Sequence, residues 1–306
     1  MRADDILDGQ GVPSEVPPPS SGARFPDGAD FRIEIPSVEG PAVLASVVHE
    51  AEQRGVVVNR VSQGSGAMVL SQRELREMAR IGNDAGLEIS LFVGPREEWG
   101  LGAQSRSADG ATLSGGIRGA RQLRFAVEDV LRAVDCGIRG FLIADLGLQR
   151  VLERARAEGQ IPADVVWKIS AVVAPSNPAT LALLVDIGAD TVNLPTDLTL
   201  AELAEMRAIT DVPLDLYVEA PDAMGGVVRG EQLGDLIDVA APLYAKFGLR
   251  NSRPLYPSGL HLEADAILIA REKVHRAQVA LEWMERTGSA AVQSKPGATG
   301  LGVPVL

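Results

Sequence analysis

Seven short apolar runs in this chain each carry one charged or amide residue near their end. They are Glu34 in FRIEIP, Asn59 in VVVNR, Asp145 in GFLIAD, Lys168 in VVWKIS, Asn193 in DTVNLP, Glu219 in LDLYVE and Lys246 in PLYAKF. The two lysines suggest the sharpest chemistry. A lysine that is desolvated or set beside another cation has a lowered pKa, and its free amine can form an imine or act as a general base. The alternative for each lysine is an ion pair with Glu34, Asp145, Asp215 or Glu219 that fills an interior. Glu34, Asp145 and Glu219 are the matching proton shuttles, so the candidate catalytic set is Lys168, Lys246, Glu219, Asp145 and Glu34. The same three carboxylates, with Asn59 and Asn193 beside them, also suit a hard divalent cation such as Mg²⁺ or Mn²⁺, which prefers oxygen ligands. Asn59 and Asn193 are otherwise candidates to orient substrate oxygens. Arg250 and Asn251, in KFGLRNSRPLYPSGLH, are candidates to hold an anionic group, and Gly225 and Gly226 before Arg229 offer backbone amides. No histidine ends an apolar run: His49 and His275 fall in helical segments and His261 in a long loop, which disfavours a histidine-rich zinc site.

What positions these residues is a repeating cadence. Each run is short enough to be a buried strand and is followed by a segment of helical periodicity, the order of a parallel sheet. Strands are expected at 31–36, 56–61, 87–93, 138–145, 165–170, 190–194, 213–219 and 242–247, with a long amphipathic helix over 263–286. Ser71 with Glu74 three residues later marks a capping box. Gly55, Gly86, Gly137 and Gly188 each close a helix just before a strand. The pattern predicts an α/β fold, a single TIM-like (β/α)8 barrel, in which the strand C-termini converge on one face. Residues two apart share a face of a strand, so Glu34 goes with Arg32, Lys168 with Ser170, Glu219 with Asp215 and Tyr217, and Lys246 with Tyr244.

Residues 1–29 and 287–306 are rich in Pro, Gly and Ser without periodicity, so the expected organisation is a disordered arm (1–29), the barrel (30–286) and a loose tail (287–306). Connections at about 94–120, 220–229 and 248–262 are too long for simple turns, and the first, rich in Gly, Ser and Arg, reads as a cover over the mouth. At 306 residues and 46% hydrophobic, the chain is long enough for one barrel of roughly 250 residues. A net charge of −12 with both signs interspersed argues against a nucleic-acid surface. The single cysteine, Cys136, excludes an intrachain disulfide, a cysteine-only zinc site and a four-cysteine iron–sulfur cluster. No segment reaches the ~20 apolar residues of a membrane helix and no leader pattern precedes the chain, so the expected location is the cytoplasm. A small-molecule substrate is the expected partner, with no nucleic acid and no membrane, and a homo-oligomer is compatible with the acidic surface. No GxSxG, HExxH, Walker or Rossmann glycine motif occurs.

The strand series, the KIS segment at Lys168 to Ser170 and the block KFGLRNSRPLYPSG together resemble the collagenase-like peptidase family of β/α-barrel proteins, over roughly residues 31–285. The resemblance implies the barrel and, by the family's name, proteolysis. Several members carry a four-cysteine cluster, from which this chain departs. The leading expectation is a lyase, aldolase or isomerase acting on a polar, anionic carbonyl or sugar-like substrate. The alternatives are a peptidase and a non-catalytic binding barrel.

Overall fold

The computed structural model describes residues 17–100, 104–108, 110 and 115–306. Among them, eight parallel strands alternate with helices and close on themselves in sequence order, β1 pairing with both β2 and β8. The strands are β1 (Phe31–Pro36), β2 (Arg60–Gln63), β3 (Glu88–Phe92), β4 (Gly140–Ile143), β5 (Val166–Ile169), β6 (Thr191–Asn193), β7 (Leu214–Glu219) and β8 (Leu243–Phe247). The helices are α1 (Pro41–Arg54), α2 (Gln72–Ala85), α3 (Gly119–Asp135), α4 (Leu146–Ala157), α5 (Pro178–Asp186), α6 (Leu200–Arg207), α7 (Leu233–Ala240) and α8 (Glu263–Thr287). The α/β class and the TIM-like barrel expected from the cadence are what the chain forms. No described helix is long and apolar enough to cross a membrane.

Local signals set the joints. Ser71 accepts from the Glu74 amide while the Glu74 carboxylate accepts from Ser71, and Thr199 with Glu202 repeats the box at α6. Gly55, Gly86, Gly137 and Gly188 all take positive φ between helix and strand. One alternate face of each strand packs outward under the helices, as with Ile33, Ile35, Ile89, Leu91, Trp167 and Leu216, all fully buried. The main hydrophobic core is therefore the layer between sheet and helices.

Three expectations are corrected. The second strand starts at Arg60 rather than Val56, because the pairing partner of Glu34 is Arg60 and Val56 instead closes α1 through an amide bond to Ala51 O. The tail is not loose: residues 292–305 run across the strand N-termini. Arg32 donates to Thr299 O (2.7 Å) and Ser294 Oγ (3.0 Å), the Gly302 amide donates to Glu88 (3.1 Å), and the Val305 amide to Gly137 O (2.9 Å). The arm is docked from at least Phe25, whose ring meets Tyr244 edge-on at 5.2 Å with the Arg32 guanidinium 4.1 Å from its centroid. The disordered arm expected over 1–16 lies outside the described residues, as do 101–103, 109 and 111–114 of the expected cover.

Both ends of the described chain thus plug one end of the barrel and satisfy buried side chains there. Deleting residues 289–306 should lower the unfolding free energy by at least about 3 kcal/mol, because several buried polar groups lose partners worth about 1–3 kcal/mol each. Urea titration followed by circular dichroism measures this, and an unchanged midpoint would contradict the plug.

Candidate active site

The inner faces of the strands carry ionised side chains, and their contacts cross the barrel. Glu34 of β1 reaches Lys168 of β5, and Arg60 of β2 reaches Thr191 of β6. Such pairs can meet only through the interior. The lower tier joins Arg32 Nη1 to Tyr244 Oη (2.9 Å), and Tyr244 Oη donates to Glu88 (3.3 Å). Above it, Arg60 grips Glu34 Oε2 with Nε (2.7 Å) and Nη2 (2.6 Å), abuts Asp215 Oδ1, and lies 3.4 Å over the Tyr244 ring. Lys168 bonds Glu34 Oε2 and sits 3.4 Å from Asp215 Oδ1. Uppermost, Ser62 Oγ donates to Glu34 Oε1 (2.6 Å). Lys246 Nζ lies 3.6 Å from that same oxygen, donates to Asn193 Oδ1, and stands 4.3 Å from the Tyr217 ring centroid.

Burial and mutual charge set the protonation of this network. Burial alone would raise the Glu34 pKa, but Arg60, Lys168 and Lys246 together outweigh it and hold the carboxyl well below its usual range. Burial, then the Arg60 charge, pulls Lys168 well below the ordinary lysine value, against the pull of Glu34. Burial also lowers Lys246, with Glu34 opposing and Arg60 assisting. The Tyr217 phenol is raised by burial and by the Glu34 charge, and stays protonated at neutral pH. Exposure rises from 0% at Glu34 and Lys168 to 2% at Lys246 and 7% at Tyr217, so Lys246 is the less deeply buried of the two lysines.

Of the residues named from sequence, Glu34, Lys168, Asn193 and Lys246 are brought together. The others are not. Asn59 sits at the foot of β2, where its Oδ1 accepts from the Ile33 amide and its Nδ2 donates to Ser294 O, so it pins the tail at the plugged end. Asp145 caps α4, accepting from the amides of Leu148 (2.9 Å) and Ile117 (3.0 Å). A bulge between Tyr217 and Glu219 sets Glu219 beside Phe247, and its carboxylate receives the Arg250 amide (3.0 Å) and faces Arg276 of α8 at 3.7 Å. The Arg250 side chain is exposed beside Asp222 (3.8 Å), and Asn251, at φ +54°, gives its amide to Asp222. Glu34, Asp145 and Glu219 therefore do not form a ligand set. Among the described residues no group of three or more His, Cys, Asp or Glu is placed to hold a metal ion. Sequence reasoning missed Arg60 and Ser62, whose only signal was their alternation after Asn59.

The loops above strands 1, 2, 3 and 8 interlock. Glu39 is buried and accepts from the amides of Gly64 (2.9 Å) and Ser65 (3.0 Å) and from Ser65 Oγ; burial raises its pKa against those bonds. Ser65 Oγ accepts from the Ser258 amide (2.7 Å), and Tyr256 Oη meets Ser37 Oγ at 2.6 Å. The Tyr256 ring fills the place a side chain on Gly64 would take, since a Cβ there would lie 2.3 Å from it. Lys273 of α8 reaches the top of β1, donating to Pro36 O (2.7 Å), and burial pulls its pKa down to about 8 against the charge of Glu39.

No family model matches this chain, and no curated protein matches it. Solved structures similar to it include the U32 peptidase Mk0906, at 18% identity and a TM-score of 0.40 over 68% of this chain and 73% of that one. Another is the homocysteine methyltransferase MmuM from Escherichia coli, at 13% identity and 0.48 over 81% and 97%. A third is oxaloacetate acetylhydrolase with its product oxalate, at 14% identity and 0.45 over 71% and 75%. The likeness is one of fold, and the peptidase resemblance read from the sequence extends that far.

Two titrations follow from the charges. Replacing Glu34 with Ala should cost about 3–5 kcal/mol, because three buried cations lose their counter-charge. The native Glu34 pKa lies below the unfolded one, so its stabilisation is complete above the unfolded value near 4.5 and disappears as pH falls through the native value. Equilibrium denaturation of wild type and variant from pH 7 to 3 reads both effects, and equal stability at pH 7 would refute them. Lys273 is neutral in the native state and charged in the unfolded state between about 8 and 10.5, so folding stability should rise with pH across that window. Lys273→Met should flatten the rise; a slope that persists in the variant assigns it to another group.

Proposed function

We propose that this chain is a small-molecule enzyme of lyase or aldolase type, in which Lys246 forms an imine with the carbonyl carbon of a polar, anionic substrate. The observation that carries the reading is the setting of Lys246. It is the less deeply buried interior lysine, its pKa is lowered by burial and by Arg60, and it is flanked by Glu34, Asn193 and Tyr217. A lowered pKa raises the share of neutral, nucleophilic amine at a given pH.

In this reading Nζ attacks the carbonyl carbon. The C–N bond forms, the C=O π pair moves to oxygen, and the nitrogen, now carrying an extra proton, passes it to that oxygen to give a neutral carbinolamine. Loss of the hydroxyl as water, after a second protonation, leaves a C=N bond whose protonated form is an electron sink. The pair released on cleaving a neighbouring C–C or C–H bond moves into it. Tyr217, protonated at neutral pH, supplies a proton to the departing oxygen, and Glu34 stabilises the iminium charge. Asn193 accepts from Nζ and orients it. Lys168, tied to Glu34 and Asp215, is the more deeply buried of the two lysines and the alternative amine.

The peptidase alternative calls for a carboxylate pair or a metal to activate water, and Glu219, its leading carboxylate, is committed to the Arg250 amide and Arg276. A second reading, a non-catalytic barrel, is favoured by one observation: Glu34, Glu88 and Asp215 each face a cation within the barrel, so the network can serve as filling.

Borohydride reduction in the presence of pyruvate, longer 2-oxo acids and simple aldehydes, followed by peptide mass mapping, separates the two. The expected adduct is on Lys246, absent in Lys246→Met and retained in Lys168→Met. An adduct on Lys168 would transfer the role, and none on either lysine would favour the filled barrel.

A further inference from the structure

Two arginines in the connections above the strands, Arg229 after β7 and Arg96 after β3, are buried with unmet N–H groups, and Arg96 is the one set against aromatic rings. Its guanidinium is set against two aromatic rings, 3.7 Å from the Phe92 centroid and 4.3 Å from that of Trp99. Phe92 ends β3, so this cation stands at the C-terminal end of the strands. Arg96 is only 8% exposed. Nη2 donates to Gly64 O, Nη1 is 3.8 Å from the half-exposed Glu98, and Nε has no hydrogen-bond partner among the described residues. Burial lowers its pKa, against the charges of Glu98, Tyr256 and Glu39. Glu39 makes no ion pair with it, its carboxyl being taken up by Ser65 Oγ and two loop amides.

A planar cation stacked on aromatic rings has its edge left for hydrogen bonds, and here that edge is buried with the Nε–H unmade among the described residues. Leaving a buried charged donor unsatisfied is costly, and a carboxylate accepting from a guanidinium is the strong, directional remedy. We propose that Arg96 is the receptor for a carboxylate on the substrate, which makes the substrate a carbonyl acid. This rests on the imine reading for the carbonyl end only. One negative charge balances one cation; a phosphate dianion would place a second, uncompensated charge near Glu39 and Glu98. Arg250, the arginine that the sequence singled out for this task, has an exposed side chain beside Asp222 and lacks these features.

The test uses the full chain as wild type, R96M and R96Q, the last retaining a donor able to reach Gly64 O, each checked for folding by circular dichroism. Probes are pyruvate and a longer oxo acid, their carbonyl analogues acetone and acetaldehyde, the saturated acid lactate, and inorganic phosphate. Wild type should gain thermal stability with the oxo acids and lactate. Both variants should lose that gain, and should need an oxo acid concentration higher by about tenfold or more for half-maximal borohydride trapping, with acetaldehyde trapping unchanged. If lactate stabilises only wild type while no carbonyl compound is trapped, the receptor stands and the imine reading falls. The receptor is overturned if no carboxylate stabilises wild type, or if the variants keep the gain. A response to phosphate alone, lost in R96M, overturns the choice of carboxylate.

Discussion

Glu34 is the constraint on which the interior of this barrel depends. Three cations, Arg60, Lys168 and Lys246, converge on one buried carboxylate that also accepts from Ser62. Each would be prohibitively expensive alone in a low-dielectric interior, and each is tolerable because the others are there. A barrel interior is ordinarily filled by layers of branched aliphatics. In this one the filling is ionic, and the apolar residues are displaced to the outer face of the strands. That displacement is why the strands alternate in the sequence instead of reading as unbroken apolar runs.

An ionic interior needs both ends managed, and the chain treats them differently. At the N-terminal ends of the strands, Arg32 and Glu88 meet backbone groups of the C-terminal segment, while Phe25 and Tyr244 cover the arginine with aromatic rings. Water is excluded there without leaving polar groups bare. At the other end the loops after β1, β2, β3 and β8 are tied by side chains to backbone amides and carbonyls, with Gly64 kept small to admit the Tyr256 ring. The first end is occupied by the protein's own chain, so any approach to the interior is from the second.

The fold was legible because two periodicities coincided with turn chemistry: alternation in the strands, helical spacing after them, and a left-handed glycine between. The site was legible where a residue's role follows from strand phase alone, as for Glu34, Lys168, Asn193 and Lys246. It was illegible wherever something local broke that phase. The bulge after Tyr217 turned Glu219 toward α8, and a start shifted to Arg60 put Asn59 at the plugged end. The end of β4 turned Asp145 into a cap, a role its position before a helical run also fits. Arg60 was overlooked because a buried arginine within an apolar run looks like a boundary. Arg96 was hidden because a stack on aromatic rings is made by residues from two sides of a loop, with no spacing to betray it.

The structural and chemical readings of this interior draw on the same charges, and that is why they are hard to separate by geometry. Arg60, Lys168 and Lys246 are matched in number by Glu34, Glu88 and Asp215, and Arg32 by Asp27 at the plugged end. With every group ionised the interior is balanced, and what weighs against the charged lysines is burial, which pulls both below their ordinary range. Electrostatics that serve stability alone would therefore also prepare a neutral amine.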